Sequence, residues 1–69
     1  MIGFAEFTSS FSKQRVMIRA EQVTFIMEEP NTTTIYTYLD QEVQVCDSYD
    51  EVIEKLGQAL LEYPTNSEF

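Results

Sequence analysis

Residues 48–64, SYDEVIEKLGQALLEYP, have the start signal, the apolar stripe and the stop of an amphipathic helix. Ser48 and Glu51 form an S-x-x-E capping box, in which each side chain accepts a hydrogen bond from the other residue's backbone N–H. Apolar residues recur at steps of three and four, and Pro64 ends the pattern. They are Tyr49, Val52, Ile53, Leu56, Ala59, Leu60 and Tyr63. Gly57 inside the helix lowers stability by about 0.5–1 kcal/mol relative to alanine. Either another backbone approaches closely at this position and requires a glycine, or the glycine has no structural role and its cost is tolerated.

The residues before this helix alternate between apolar and polar side chains as β-strands do. Strands are predicted over residues 2–8, 14–18, 23–28, 33–39 and 42–46. Between them we expect a short turn or helical turn at residues 19–22, a tight turn at 29–32 and a two-residue hairpin loop at 40–41. The fold class is therefore predicted as α+β: an antiparallel four- to five-stranded meander with one C-terminal amphipathic helix packed on one sheet face. Residues 1–64 form one domain, and residues 65–69 are expected to be a flexible tail.

The size of the chain predicts self-association. A chain of 69 residues buries only about 60% of its unfolded surface, so small domains usually need a disulfide, a metal or a partner subunit. With one cysteine and no histidine, the chain can form neither an internal disulfide nor a typical zinc site. We therefore expect a homo-oligomer, and most simply a dimer.

Charge is unevenly distributed along the sequence. Residues 1–20 have a net charge of +2 from Lys13, Arg15, Arg19 and Glu6, whereas residues 21–69 have a net charge of −10. The net charge of −8 should repel nucleic-acid backbones, so direct DNA or RNA binding is not expected. An acidic surface is instead suited to a basic protein partner.

The residue types for most catalysis are missing. The absence of histidine removes the usual general base, and the two glycines form no phosphate-binding loop. Cys46 lies beside Asp47, whose negative charge opposes nucleophilic use of the thiol. The carboxylates near residue 50 are best explained as partners of the helix dipole. We therefore expect no enzymatic activity, no metal and no cofactor.

Two features bear on location. The N-terminal residues have neither a basic leader nor a long apolar run, so neither a signal peptide nor a membrane span is expected. The single free Cys46 favours a reducing setting. We expect a cytoplasmic protein of a bacterial or phage-infected cell.

The candidate binding residues lie on the strand faces that point away from the helix. We expect the helix to cover the side of Ile35, Leu39, Val43 and Val45. The opposite side then displays a cluster rich in arginine, tyrosine and methionine, as protein interfaces are. The candidates are Lys13, Arg15, Met17, Arg19, Tyr36 and Tyr38. They form either a subunit interface, a site for an outside partner or a solvated surface without a role, and Lys13, Arg15 and Arg19 alternatively predict a pocket for a nucleotide or another small anion.

A family resemblance follows the same order of signals. Residues 16–56, VMIRAEQVTFIMEEPNTTTIYTYLDQEVQVCDSYDEVIEKL, resemble the small swarming-motility and flagellar-operon proteins of the SwrD/FlbD type. The matching positions are Pro30-Asn31-Thr32, Ile35 and Ser48 through Leu56. Arg19-Ala20 replaces the family's turn asparagine, and Gln41 replaces its hairpin glycine. The resemblance implies a motility-associated regulator without catalytic residues.

Together these features predict a non-enzymatic homo-oligomeric interaction protein that regulates or inhibits a partner, as phage-encoded inhibitors of host systems do. In the first alternative it binds and sequesters a small anion or nucleotide. In the second it is the motility-associated regulator implied by the resemblance.

Overall fold

Residues 2–62 form five antiparallel strands followed by one helix, in the order that the sequence predicts. The structure is a computed structural model that describes residues 2–62. Its elements are β1 (Phe4–Thr8), β2 (Arg15–Arg19), a 3₁₀ turn (Ala20–Gln22), β3 (Val23–Glu28), β4 (Thr33–Thr37), β5 (Glu42–Val45) and α1 (Tyr49–Leu61). The α+β fold class is confirmed. Pro64 and the predicted tail of residues 65–69 lie outside the described residues.

The prediction of a single four- to five-stranded meander is wrong, because the strands form two sheets. β1 pairs with β2, and β3, β4 and β5 form a second sheet in that order. The 3₁₀ turn prevents β2 and β3 from forming a hairpin: Ala20 is buried in the core, and its N–H donates to the Gly3 carbonyl at 2.8 Å. The sheets meet instead where Ser9 bridges Val45. Burial of one small apolar residue thus turns the chain from one sheet into the other.

Several predicted strand ends are also corrected. β1 begins at Phe4 because Gly3 has a φ of 77°, outside the extended region. β4 ends at Thr37, whose N–H bonds the Gln41 carbonyl at 2.9 Å around a three-residue loop. Asp40 closes this loop with a φ of 59°, a conformation that aspartate tolerates. The predicted two-residue loop is therefore wrong, and Leu39 is exposed in the loop instead of buried under the helix.

The helix begins as predicted and buries the centre of its apolar stripe. Ser48 N–H donates to Glu51 Oε1 at 3.1 Å and Glu51 N–H donates to Ser48 Oγ at 3.2 Å, which confirms the capping box. The stripe is narrower than predicted, because Ile53 and Leu60 remain about half exposed. The helix packs along β1, the 3₁₀ turn and β3. The buried core contains Ala5, Phe7, Ile18, Ala20, Ile35, Val45, Val52, Leu56 and Ala59.

Gly57 has open space around it. No atom of the described chain outside its own helix backbone and neighbours lies within 4 Å of the position that a Cβ would take. Packing within residues 2–62 therefore does not require a glycine there.

Candidate functional site

The outer side of the β1–β2 sheet displays the predicted basic residues. The strand register places Arg15, Met17 and Arg19 on this side, while Ile18 is buried on the other. Arg19 lies over the Phe4 ring, 5.7 Å from its centroid. Arg15 Nη1 is 3.8 Å from Glu6 Oε2, and the Arg15 side chain is largely exposed. An ion pair this long and exposed contributes little to stability, so the Arg15 charge remains available to a ligand.

Lys13 lies in the β1–β2 loop beside the same strand. Its backbone has a φ of 62°, and its ammonium is 3.7 Å from Cys46 Sγ. A groove of about 670 Å³ opens here. Its lining residues are Glu6, Lys13, Gln14, Arg15 and Met17. We call Lys13, Arg15, Met17 and Arg19 the basic face.

Tyr36 and Tyr38 lie in the other half of the molecule. Tyr36 stacks on Phe25 with 4.2 Å between the ring centroids and 12° between the planes. A bulge near the start of β3 brings Phe25 opposite Tyr36, and Met27 follows on the same side of the strand. Tyr38 is exposed in the β4–β5 loop, where its N–H bonds the Gln22 carbonyl at 3.1 Å. The six predicted residues therefore occupy two separate surfaces.

The surface around Tyr36 is acidic as well as aromatic. Glu42 is the cross-strand partner of Tyr36. Burial of the phenol, together with the Glu42 and Glu29 carboxylates, raises the pKa of Tyr36 above its usual value. We call Phe25, Met27, Tyr36 and Glu42 the aromatic face. Alternation in β3 puts Phe25 and Met27 on one side of that strand. Placing them on the aromatic face also requires the register between β3 and β4, which the sequence of the turn at residues 29–32 does not give.

Sequence reasoning missed the second edge of β1. Ala20 N–H to the Gly3 carbonyl and Ser9 N–H to the Gln14 carbonyl show that the odd-numbered residues of this strand bond towards β2. The backbone groups of Phe4, Glu6 and Thr8 therefore point to the opposite edge.

Side chains from the end of β5 and from α1 occupy part of this edge. Asp47 Oδ1 accepts from Thr8 N–H at 2.9 Å, and Lys55 Nζ donates to the Glu6 carbonyl at 2.9 Å. Glu62 Oε1 accepts from Gly3 N–H at 3.2 Å, next to the start of the strand. These groups take positions that a neighbouring strand would otherwise fill.

Asp47 and Lys55 also bind each other. Lys55 Nζ is 2.8 Å from Asp47 Oδ2 and lies 5.3 Å from the centroid of the Phe7 ring. Burial by itself raises the pKa of the Asp47 carboxyl, but hydrogen bonds from Lys55 and from Thr8 N–H, with the lysine charge, outweigh it and lower the pKa. Asp47 is therefore ionised at neutral pH and holds the Lys55 ammonium.

A groove of about 510 Å³ lies between β1 and α1, and we call it the acidic groove. The Glu6 N–H and both backbone groups of Phe4 face it by the alternation of β1. Its only cation among the lining residues is Lys55, which is already bound by Asp47. The lining residues are Phe4, Ala5, Glu6, Glu51, Glu54, Lys55, Gln58, Ala59 and Glu62. Four glutamates beside a strand edge favour a cationic, extended ligand.

Within residues 2–62, no group of three or more histidine, cysteine or acidic side chains is arranged to hold a metal ion. Across the same residues, no helix has the length and apolar character needed to span a membrane. Comparison with protein-family models, curated proteins and solved structures found no match. The SwrD/FlbD-type resemblance and its motility role stay predictions.

Proposed function

We propose that this protein is a non-enzymatic interaction module that binds a basic segment of a partner protein in the acidic groove and thereby regulates or inhibits that partner. The observation that supports this proposal is the acidic groove itself, where four glutamate side chains line a strand edge. Within residues 2–62, the Glu6 N–H and both backbone groups of Phe4 on this edge have no hydrogen-bond partner. The partner would be a basic protein, as the net charge of −8 suggests.

The mode of binding follows from the two kinds of group in the groove. The Glu6 N–H and both backbone groups of Phe4 can pair with an extended segment, as in β-strand addition. Alternate side chains of that segment would point towards the helix, where Glu54 and Glu51 offer carboxylates. Backbone pairing supplies affinity, and the glutamates select lysine or arginine.

The test uses a dye-labelled peptide of alternating arginine and threonine residues as the probe, followed by fluorescence anisotropy. The groove variant Glu6→Gln with Glu54→Gln is expected to weaken binding roughly fivefold, since each exposed charge pair contributes up to about 1 kcal/mol. The matched control, Glu21→Gln with Asp40→Asn, removes the same charge from exposed positions outside the groove and should bind as the wild type does.

Two results would contradict the proposal. Equal weakening by both double variants would show that the peptide responds only to net charge. Equal binding of a peptide with the same composition but clustered arginines would show that extended, alternating contacts are not used.

A second candidate function is supported by the 670 Å³ groove on the basic face, where Lys13, Gln14 and Arg15 offer donors to an anion. In this alternative the protein sequesters a nucleotide or another small anion. A thermal-shift screen with inorganic phosphate and nucleotides should then raise the melting temperature of the wild type. The increase should disappear in the variant Lys13→Ala with Arg15→Ala, and the absence of any increase in the wild type would exclude this alternative.

A further inference from the structure

The basic face is an exception on an acidic molecule. Three of the four basic side chains of the chain, Lys13, Arg15 and Arg19, lie beside or on β2, and the fourth, Lys55, is held by Asp47. A second copy of this protein also has a net charge of −8, so most approaches between two copies are repulsive. The basic face is the surface of residues 2–62 on which an acidic second copy can dock favourably.

We propose that the basic face of one copy docks on the aromatic face of a second copy. The aromatic face has the complementary charge, because Glu42 lies directly opposite Tyr36 in the sheet. It also has exposed apolar area, since 52% of Phe25 remains accessible although its ring stacks on Tyr36. Arginine side chains pack well on aromatic rings, as Arg19 already does on Phe4 at 5.7 Å.

A buried hydroxyl on the aromatic face lacks a partner. Thr34 lies between Met27 and Gln44 in the sheet, and only 1% of it is exposed. Within the described residues its Oγ1 has no hydrogen-bond partner. Met27 is partly exposed and flexible, so a small movement of its side chain would open a path to the hydroxyl. An arginine of the second copy can supply the missing donor.

The arrangement of the two faces fixes the type of assembly. They belong to different sheets, so docking uses unlike surfaces and is heterologous. When two copies pair in this way, each keeps one free face, so further copies can add until a ring closes or an open chain grows. A dimer with one self-complementary interface would be a different arrangement. This inference does not depend on the acidic groove.

The first test measures the average mass of the protein by sedimentation equilibrium at about 0.15 M salt. Protein concentrations run from about 10 to 500 µM, because an interface of a few strands is expected to be weak. The average mass of the wild type should exceed the 8.0 kDa of one chain and should increase with protein concentration. Arg15→Gln with Arg19→Gln should weaken association roughly tenfold or more, and so should Phe25→Ser with Glu42→Gln. The matched control Leu61→Ser with Glu54→Gln should associate as the wild type does, because both side chains are exposed on α1, outside the two faces.

Mixing distinguishes unlike from like surfaces. The arginine variant keeps its aromatic face and the Phe25 variant keeps its basic face, so an equal mixture should form a species of twice 8.0 kDa and nothing larger. A wild type that stays at 8.0 kDa throughout overturns the proposal, as does a mixture that remains monomeric. If a double variant does not fold, we would instead record the amide chemical shifts of the wild type across the same dilution series. Changes in both β2 and β3 support the proposal, and changes confined to one of them overturn it.

Thr34→Val gives an independent readout. Valine keeps nearly the same shape without the hydroxyl, so the monomer should unfold at an equal or higher urea concentration. Self-association should nevertheless weaken, about threefold or more, because the arginine donor loses its acceptor. Unchanged or stronger association of Thr34→Val would show that the hydroxyl is not part of an interface.

Discussion

The contact between Asp47 and Lys55 should provide a measurable part of the stability of this small domain. Asp47 is only 11% exposed and accepts from both Thr8 N–H and Lys55 Nζ. Replacing it by alanine removes the acceptor of the Thr8 N–H and one of the two acceptors of the Lys55 ammonium, which should lower the free energy of unfolding by about 2–3 kcal/mol. Replacement by asparagine keeps an acceptor for Thr8 and loses only the charge. Because 44% of the Lys55 side chain is exposed, that change should cost about 1 kcal/mol.

The two variants differ clearly in a melting experiment. For a domain of 60–100 residues, 1 kcal/mol shifts the melting temperature by about 4–8 °C. Asp47→Asn should therefore melt about 5 °C below the wild type, and Asp47→Ala about 10–20 °C below it. Glu54→Gln is the matched control, because it removes one exposed carboxylate from the helix that carries Lys55 and should change the free energy of unfolding by less than about 0.5 kcal/mol.

The dependence on pH gives a second, independent check. The pKa of Asp47 is lower in the folded protein than in the unfolded chain, so its charge contributes stability at pH values above the unfolded pKa of about 4. That contribution is lost as the pH falls through the lower, folded pKa. Urea denaturation followed by circular dichroism should therefore show a gap between wild type and Asp47→Asn at pH 7 that closes in acid. Two results would contradict this role of Asp47. One is an equal free energy of unfolding for Asp47→Asn and Glu54→Gln at pH 7, and the other is a difference between wild type and Asp47→Asn that does not shrink as the pH falls below about 4.

Three further predictions concern the core and the helix. Phe7→Ala should lower the free energy of unfolding by about 3–5 kcal/mol and can abolish folding, because Phe7 is only 1% exposed. Its control, Phe11→Ala, changes a residue that is 93% exposed and should leave the urea midpoint unchanged. Gly57→Ala should raise the free energy of unfolding by about 0.5–1 kcal/mol, since a Cβ there meets no neighbour, and a decrease would reveal packing absent from the isolated chain. Ser48→Ala removes one half of the capping box and should cost about 1 kcal/mol in urea denaturation, so an unchanged midpoint would show that the cap is dispensable.

The sequence predicted best those features that depend on nearby residues. The capping box at Ser48 and the burial of Val52 and Leu56 follow from spacings of three and four residues, and the structure confirms them. The alternation of β2 is confirmed in the same way, with Ile18 buried and Arg15 exposed. Local patterns of this kind involve few competing arrangements.

Features that depend on distant pairing were not predictable. The division into two sheets follows from the burial of Ala20 and from the bridge between Ser9 and Val45, which alternation alone does not specify. Alternation places Leu39 in the core because the pattern of β4 continues past Thr37, whereas the loop closed by Asp40 ends the strand earlier. The acidic groove needs β1 and α1 side by side, and the two segments are far apart in the sequence.

The side chains along the second edge of β1 also determine when that strand can be completed. Thr8, Glu6 and Gly3 bond to groups that lie 39, 49 and 59 residues later in the chain. Closing loops of this length is slow compared with forming a local hairpin or helix, so β1 and β2 can pair long before the edge is satisfied. During that interval β1 presents unpaired backbone groups that a neighbouring chain can capture. In refolding followed by pulsed hydrogen exchange, the Thr8 amide should gain protection together with the helix and later than the amides shared by β1 and β2.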